Sequence, residues 1–117
     1  MKKYTIQPEE LKKALTESWS VKSSSKWSRE NPAKGQCGVT ALVVNDLLGG
    51  EIKKTRLAEG WHFYNFISGK RYDFTASQFS ENITYADVPS NREEAFSDTN
   101  AEQYCCLKQK VWTVLRL

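Results

Sequence analysis

Gly60-Trp61-His62-Phe63-Tyr64-Asn65-Phe66-Ile67-Ser68-Gly69-Lys70-Arg71-Tyr72-Asp73-Phe74-Thr75 is two strand-forming runs joined by a turn signal. Aromatic residues crowd positions 60–67, which suits a pleated, half-buried surface. Ser68-Gly69 is a dipeptide that closes a hairpin, and residues 70–75 form the return strand. A turn centred on Ser68 and Gly69 puts residue i opposite residue 137 − i. Asp73 then faces Tyr64, which shares a strand face with His62 because side chains alternate. His62 and Asp73 become diagonal neighbours with backbones about 7–8 Å apart, within reach of a carboxylate–imidazole hydrogen bond. A slip of one residue would send them to opposite faces.

Upstream of the hairpin, Val39, Ala41, Leu42, Val43, Val44, Leu47 and Leu48 make residues 39–48 an apolar run with helical spacing. Asn45 and Asp46 fall on the face a helix would leave wet, and Gly49-Gly50 stops it. Its apolar residues run nearly all round, as a central helix requires. Residues 8–19 predict an earlier helix, opened by Pro8, with Glu9 and Glu10 in the first turn and Leu11, Ala14, Leu15 and Trp19 as its apolar stripe. The stretch between the helices is polar and reads as a loop, with Pro32 holding Asn31 out of helical geometry. Residues 51–57 predict a strand with Ile52 inward. Residues 76–104 are polar, contain Pro89, and read mainly as loop with a short helix near 92–96, the place where a lid would be expected. Residues 104–117 fit a strand, or a short helix followed by a strand. The whole predicts one α+β domain over 1–117, with N-terminal helices packed on an antiparallel sheet that includes 60–67 and 70–75.

Composition narrows the function classes. The chain has 117 residues, 39% of them hydrophobic and 26% charged, which suits a globular domain with a single core. Its net charge of +3 is spread along the chain without a basic run, so nucleic acid is not expected as a partner. No apolar stretch reaches the roughly 20 residues that cross a bilayer. Met1-Lys2-Lys3-Tyr4-Thr5-Ile6 lacks the apolar segment of a secretory signal, so the expected location is the cytoplasm. The three cysteines are odd in number, Cys105 and Cys106 are adjacent, and reduced thiols are expected. With one histidine and no Cys-x-x-Cys pair, neither a metal nor a cofactor is expected.

The residues that carry chemistry lie at the ends of the predicted elements. Gly35-Gln36-Cys37-Gly38 puts a thiol at the head of the central helix, where unpaired N–H groups and positive potential favour a thiolate. His62, the one histidine, and Asp73 follow it in chain order. Cys37 as nucleophile, His62 as general base and Asp73 as orienting carboxylate form a triad. The flanking glycines are expected to leave room for a substrate carbonyl. The Cys37 N–H is then one oxyanion donor, and Gln36 or a side chain from Trp27–Asn31 the second; Trp61 completes the candidate substrate contacts. Singly, each member has a plainer reading: a packed cysteine, a structural histidine beside Trp61 and Phe63, an aspartate that pairs locally. Their order and shared hairpin face favour thiol chemistry on an amide, with a peptide or small amide as substrate. The alternative is a non-enzymatic module in which Trp27, Trp61, Phe63, Tyr64 and Tyr72 line a groove for a peptide or small ligand.

Trp27-Ser28-Arg29-Glu30-Asn31-Pro32-Ala33-Lys34-Gly35-Gln36-Cys37-Gly38-Val39-Thr40-Ala41-Leu42, Gly60-Trp61-His62, and Tyr72-Asp73-Phe74-Thr75-Ala76-Ser77-Gln78-Phe79 resemble the bacterial YunG family of small proteins over roughly residues 19–90. That resemblance implies a fold and a candidate triad rather than a named reaction. More broadly, the layout from His62 to Thr75 is similar to the histidine–hairpin–aspartate unit of transglutaminase-like domains. Papain-like and transglutaminase-like enzymes set a helix-borne cysteine against a histidine and an aspartate on adjacent antiparallel strands. The resemblance therefore implies a papain-like/transglutaminase-like fold and a cysteine hydrolase or acyltransferase. Gln36 departs from the papain-like pattern, where the oxyanion glutamine lies several residues before the cysteine.

Overall fold

The computed structural model describes residues 5–117. Met1 to Tyr4, the first part of the segment that argues against a secretory signal, lie outside the described residues. Four helices and four strands follow in the order α1 (Pro8–Ser18), α2 (Cys37–Leu48), β1 (Glu51–Leu57), β2 (Gly60–Ile67), β3 (Lys70–Tyr72), β4 (Val88–Ser90), α3 (Arg92–Phe96) and α4 (Ala101–Leu115). The strands form one antiparallel sheet in the order β3-β2-β1-β4. This is the α+β architecture that the apolar periodicities predict.

The hairpin has the predicted register: Asn65 faces Tyr72, Phe66 faces Arg71 and Ile67 faces Lys70. Ser68 and Gly69 both take positive φ, 53° and 77°, the geometry of the two-residue turns whose twist matches that of the strands they join. The return strand is shorter than its sequence suggests. It ends at Tyr72, because Asp73 turns its carboxylate back onto the N–H and hydroxyl of Thr75 and the chain leaves the sheet. A one-turn 3₁₀ helix, Ala76–Gln78, follows.

α2 is the hub. One face packs through Ala41 and Leu42 on Ile52 and Phe63 of the sheet and on Ala95 of α3. The opposite face meets Leu11 and Leu15 of α1 and Leu107 and Val111 of α4 through Val43 and Leu47. Asn65, buried in β2, donates its side-chain N–H to the Ala41 carbonyl at 3.0 Å and pins the helix to the strand. Of the two N-terminal helices, α2 lies on the sheet, whereas α1 packs chiefly on α4. Trp19 falls just past the end of α1 but stays buried, and its indole N–H donates to Thr40 of α2 at 2.9 Å.

The C-terminal half corrects two expectations. Residues 104–117 hold no strand; α4 is a single helix that starts earlier, where the Asn100 side chain accepts the Gln103 N–H as its cap. Leu107 and Val111, four residues apart, are its buried stripe, and Tyr104, Trp112 and Leu115 flank it, partly buried against the core. The polar stretch also contains a strand: β4 pairs with the outer edge of β1, Ile52 opposite Ser90 and Lys54 opposite Val88. Pro89 is tolerated there because β4 is an edge strand. The short helix expected near 92–96 is α3.

Candidate active site

Cys37 is the first residue of α2 and is buried. His62 lies in β2 where β3 has already ended, so that side of the strand is open to the loops. Both residues line one cleft of about 210 Å³, together with Trp61, Gln78, Phe79 and Asp98. Trp61 stands exposed at its rim.

His62 is 2% exposed, and its Nε2 bonds Asp73 Oδ2 at 2.7 Å. Phe79 packs against the ring edge-on, with centroids 5.0 Å apart. The other nitrogen, Nδ1, is buried and has no hydrogen-bond partner among the described residues. In the neutral ring, a carboxylate on Nε2 holds the proton there and leaves Nδ1 an acceptor. An unsatisfied buried acceptor is uncommon enough to need a reason, and a general base awaiting a proton is one. Asp73 is itself held in place: Tyr85 donates to the same Oδ2 at 2.7 Å, and Thr75 donates its N–H and hydroxyl to Oδ1. Burial, followed by the hydrogen bond to Asp73 and then the Asp73 charge, raises the Tyr85 phenol well above its ordinary value, so it stays a donor.

The sulfur has different neighbours. Cys37 Sγ donates to Asp98 Oδ2 at 3.4 Å, and that same oxygen accepts the Gly38 N–H at 3.1 Å. Asp98 sits in the connection between α3 and α4. It is an exposed residue, but its carboxylate is tucked against the N-terminus of α2. Burial, then the Asp98 charge, pushes the Cys37 thiol up to about 12; a hydrogen bond from the Phe63 backbone N–H works the other way. In this state Cys37 is a neutral thiol. Burial likewise raises the Asp98 carboxyl, against the opposing bonds from Cys37 and Gly38.

The flanking glycines serve packing rather than substrate access. A Cβ on Gly38 would lie 2.7 Å from the Ala95 carbonyl and 2.6 Å from Asp98 Oδ2. A Cβ on Gly35 would lie 2.4 Å from Ser24 Oγ. The space expected for a carbonyl is thus taken by α3 and by the loops around Ser24 and Asp98.

Of the other sequence candidates, only Trp61 reaches the cleft. Gln36 is fully buried and gives its amide N–H to the Ser20 carbonyl at 3.4 Å, so its side chain does not serve as the oxyanion donor in this state. Asn31 donates to the Gln78 carbonyl at 3.0 Å, and Trp27 packs on the helical core. The five aromatics do not share a groove either. Phe63 lies beneath α2, Tyr64 bonds Thr55 and Asp87, and Tyr72 stacks on Phe74. Asp98 and Tyr85 escaped the sequence reading. The nearest signal, Asp98-Thr99-Asn100, is the pattern of a helix cap, and nothing in it points across 61 positions to Cys37.

Comparison with known proteins places the chain. It matches the YunG protein family over residues 7–116, which takes in Cys37, His62, Asp73, Tyr85 and Asp98. The chain belongs to the YunG family. A protein of Bacillus subtilis (strain 168) described as "Uncharacterized protein YunG" is 58% identical over 101 residues, covering 86% of this chain and 88% of the relative. No solved structure matches the chain. Among the described residues no group of three or more histidine, cysteine, aspartate or glutamate side chains is arranged to hold a metal ion. No helix of the described residues is long and apolar enough to cross a membrane.

Proposed function

We propose that this YunG protein is a cysteine-dependent amide hydrolase or acyltransferase of the cytoplasm, built on a papain-like/transglutaminase-like plan and acting on a peptide or small amide. One observation carries the reading: a buried histidine, fixed by a carboxylate on Nε2 and unpartnered at Nδ1, lines the same cleft as a cysteine at a helix N-terminus. In the reaction Cys37 Sγ gives its proton to His62 Nδ1 and attacks the substrate carbonyl carbon. The C–S bond forms, and the carbonyl electron pair moves to oxygen. Collapse breaks the C–N bond, with His62 returning the proton to the leaving amine. Water or an amine then cleaves the thioester by the same route in reverse. Asp73 fixes the His62 tautomer, and Tyr85 and Thr75 hold Asp73.

The test is turnover of a panel of acyl amides and aryl esters, with intact-mass detection of an acyl group on Cys37. Cys37→Ala and His62→Ala should each abolish turnover and leave the circular dichroism spectrum unchanged. Equal turnover by Cys37→Ala would sink the assignment. A second reading, a ligand-binding module without chemistry, draws on the neutral thiol engaged by Asp98. It is favoured if the whole panel stays untouched while a ligand raises the melting temperature.

A further inference from the structure

We infer that Asp98 Oδ2 occupies the position of the substrate carbonyl oxygen, so the site takes an amide carbonyl only when the α3–α4 connection withdraws this carboxylate. The inference rests on the reading of Cys37 as nucleophile and adds where the reacting oxygen goes and what stands in its way.

The geometry is specific. An oxygen 3.1 Å from the Gly38 N–H and 3.4 Å from Cys37 Sγ lies within hydrogen-bond reach of the helix N-terminus and in contact with the attacking atom. Those are the two neighbours a carbonyl oxygen needs while the sulfur closes on its carbon. The N-terminus of α2 favours negative charge there, as it would favour a developing oxyanion. No side chain of the α2 N-cap supplies the bond: Gln36 makes no cap hydrogen bond, and Asp98, from a distant part of the chain, fills the place. His62 Nδ1, buried and unpartnered in the wall of the same cleft, is an acceptor prepared for a proton transfer from the thiol, whose S–H is for now engaged in the hydrogen bond to the Asp98 carboxylate.

Withdrawal is compatible with the fold. Asp98 belongs to the four-residue connection between Phe96 and Ala101, and the residue is exposed apart from its tucked carboxylate. Turns within the chain hold this connection, Asp98 N–H to the Ala95 carbonyl and Thr99 N–H to the Phe96 carbonyl, so the side chain can rotate out without unfolding α3 or α4. The titratable or charged groups that face it are Cys37 from α2, Lys26 from the loop before α2, and His62 from β2. Lys26 lines the cleft and can receive the displaced carboxylate.

The experiment measures alkylation of Cys37 by iodoacetamide near neutral pH in full-length protein carrying Cys105→Ser and Cys106→Ser. Asp98→Ala should react at least roughly tenfold faster than the parent, the change in thiolate fraction for one pKa unit. Acetate, added against chloride at equal ionic strength, should fill the vacated position and slow Asp98→Ala toward the parent rate, while leaving the parent unaffected. Equal rates in parent and Asp98→Ala overturn the inference. So does an acceleration that acetate fails to suppress, since Asp98 would then only shield the thiol. If Asp98→Ala does not fold, Asp98→Asn serves: it keeps the shape and an oxygen for Gly38, loses the charge, and should react faster than the parent without acetate protection; a rate equal to the parent's overturns the inference. His62→Ala in both backgrounds separates this from the proposed reaction. Acetate-protected acceleration that ignores His62 keeps the oxygen position and removes the general base. Dependence on His62 without any effect of Asp98 does the opposite.

Discussion

Replacing Asp73 with alanine removes the acceptor on which four donors converge. His62 Nε2 and the Tyr85 hydroxyl end on Oδ2 at 2.7 Å each, and the Thr75 N–H and hydroxyl end on Oδ1 at 3.3 and 3.4 Å. His62 and Thr75 are each 2% exposed, so water cannot readily replace the lost oxygen for either. Tyr85 is only partly buried and can turn to solvent. An orphaned buried donor costs about 1–3 kcal/mol, so two such groups put the loss for Asp73→Ala at about 2–6 kcal/mol. With a urea dependence of about 1–3 kcal/mol per molar for a chain of this size, the unfolding midpoint should fall by about 1–3 M with the slope unchanged. Urea titration followed by the fluorescence of the four tryptophans measures it. Asp73→Asn, which keeps an oxygen for the His62 Nε2–H, should recover at least half of the loss. A fall of less than about 0.3 M for Asp73→Ala would mean that His62 is not held through this carboxylate, and the tautomer argument for Nδ1 would go with it.

Three further outcomes follow from the same contacts. Because folding raises the Cys37 thiol from its ordinary 9.0 to about 12, the folded state favours the protonated form; its contribution to stability is complete below about pH 9 and is lost as pH climbs toward 12. Parent stability should therefore fall more steeply than that of Cys37→Ser across that alkaline window, as read by urea midpoints at matched pH, and parallel curves would contradict the burial of a neutral thiol. Gly38→Ala pushes a methyl group onto the Ala95 carbonyl, a backbone atom that cannot swing aside; it should cost about 1–3 kcal/mol from overpacking and loosen the Asp98 contact, so that its melting temperature drops while Cys37 alkylation speeds up. Asn100→Ala removes the side chain that accepts the Gln103 N–H at the start of α4 and should destabilise the protein by about 1 kcal/mol with no change in the reactivity of Cys37, measured by the same urea and alkylation assays.

The sequence by itself determined the parts whose causes are local. The period-two run ending at Ser68-Gly69 fixed the register of the β2–β3 hairpin, and with it the pairing of His62 with Asp73, because turn type and side-chain alternation leave one way to bury that face. The apolar run after Cys37 and the Gly49-Gly50 stop likewise determined α2 as the central helix. Tertiary structure decided the rest. Whether 104–117 became helix or strand turned on α1 and α2 offering Leu107 and Val111 a place to pack, which no window of that sequence contains. β4 exists because β1 leaves an edge open, not because Val88-Pro89-Ser90 favours a strand. The environment of Cys37 was the least legible of all. Its sulfur is buried and bonded to Asp98, 61 residues away in sequence, and burial first, then that carboxylate, keeps the thiol neutral. Local sequence can supply a helix N-terminus that invites an anion, but only the folded chain determines which anion arrives.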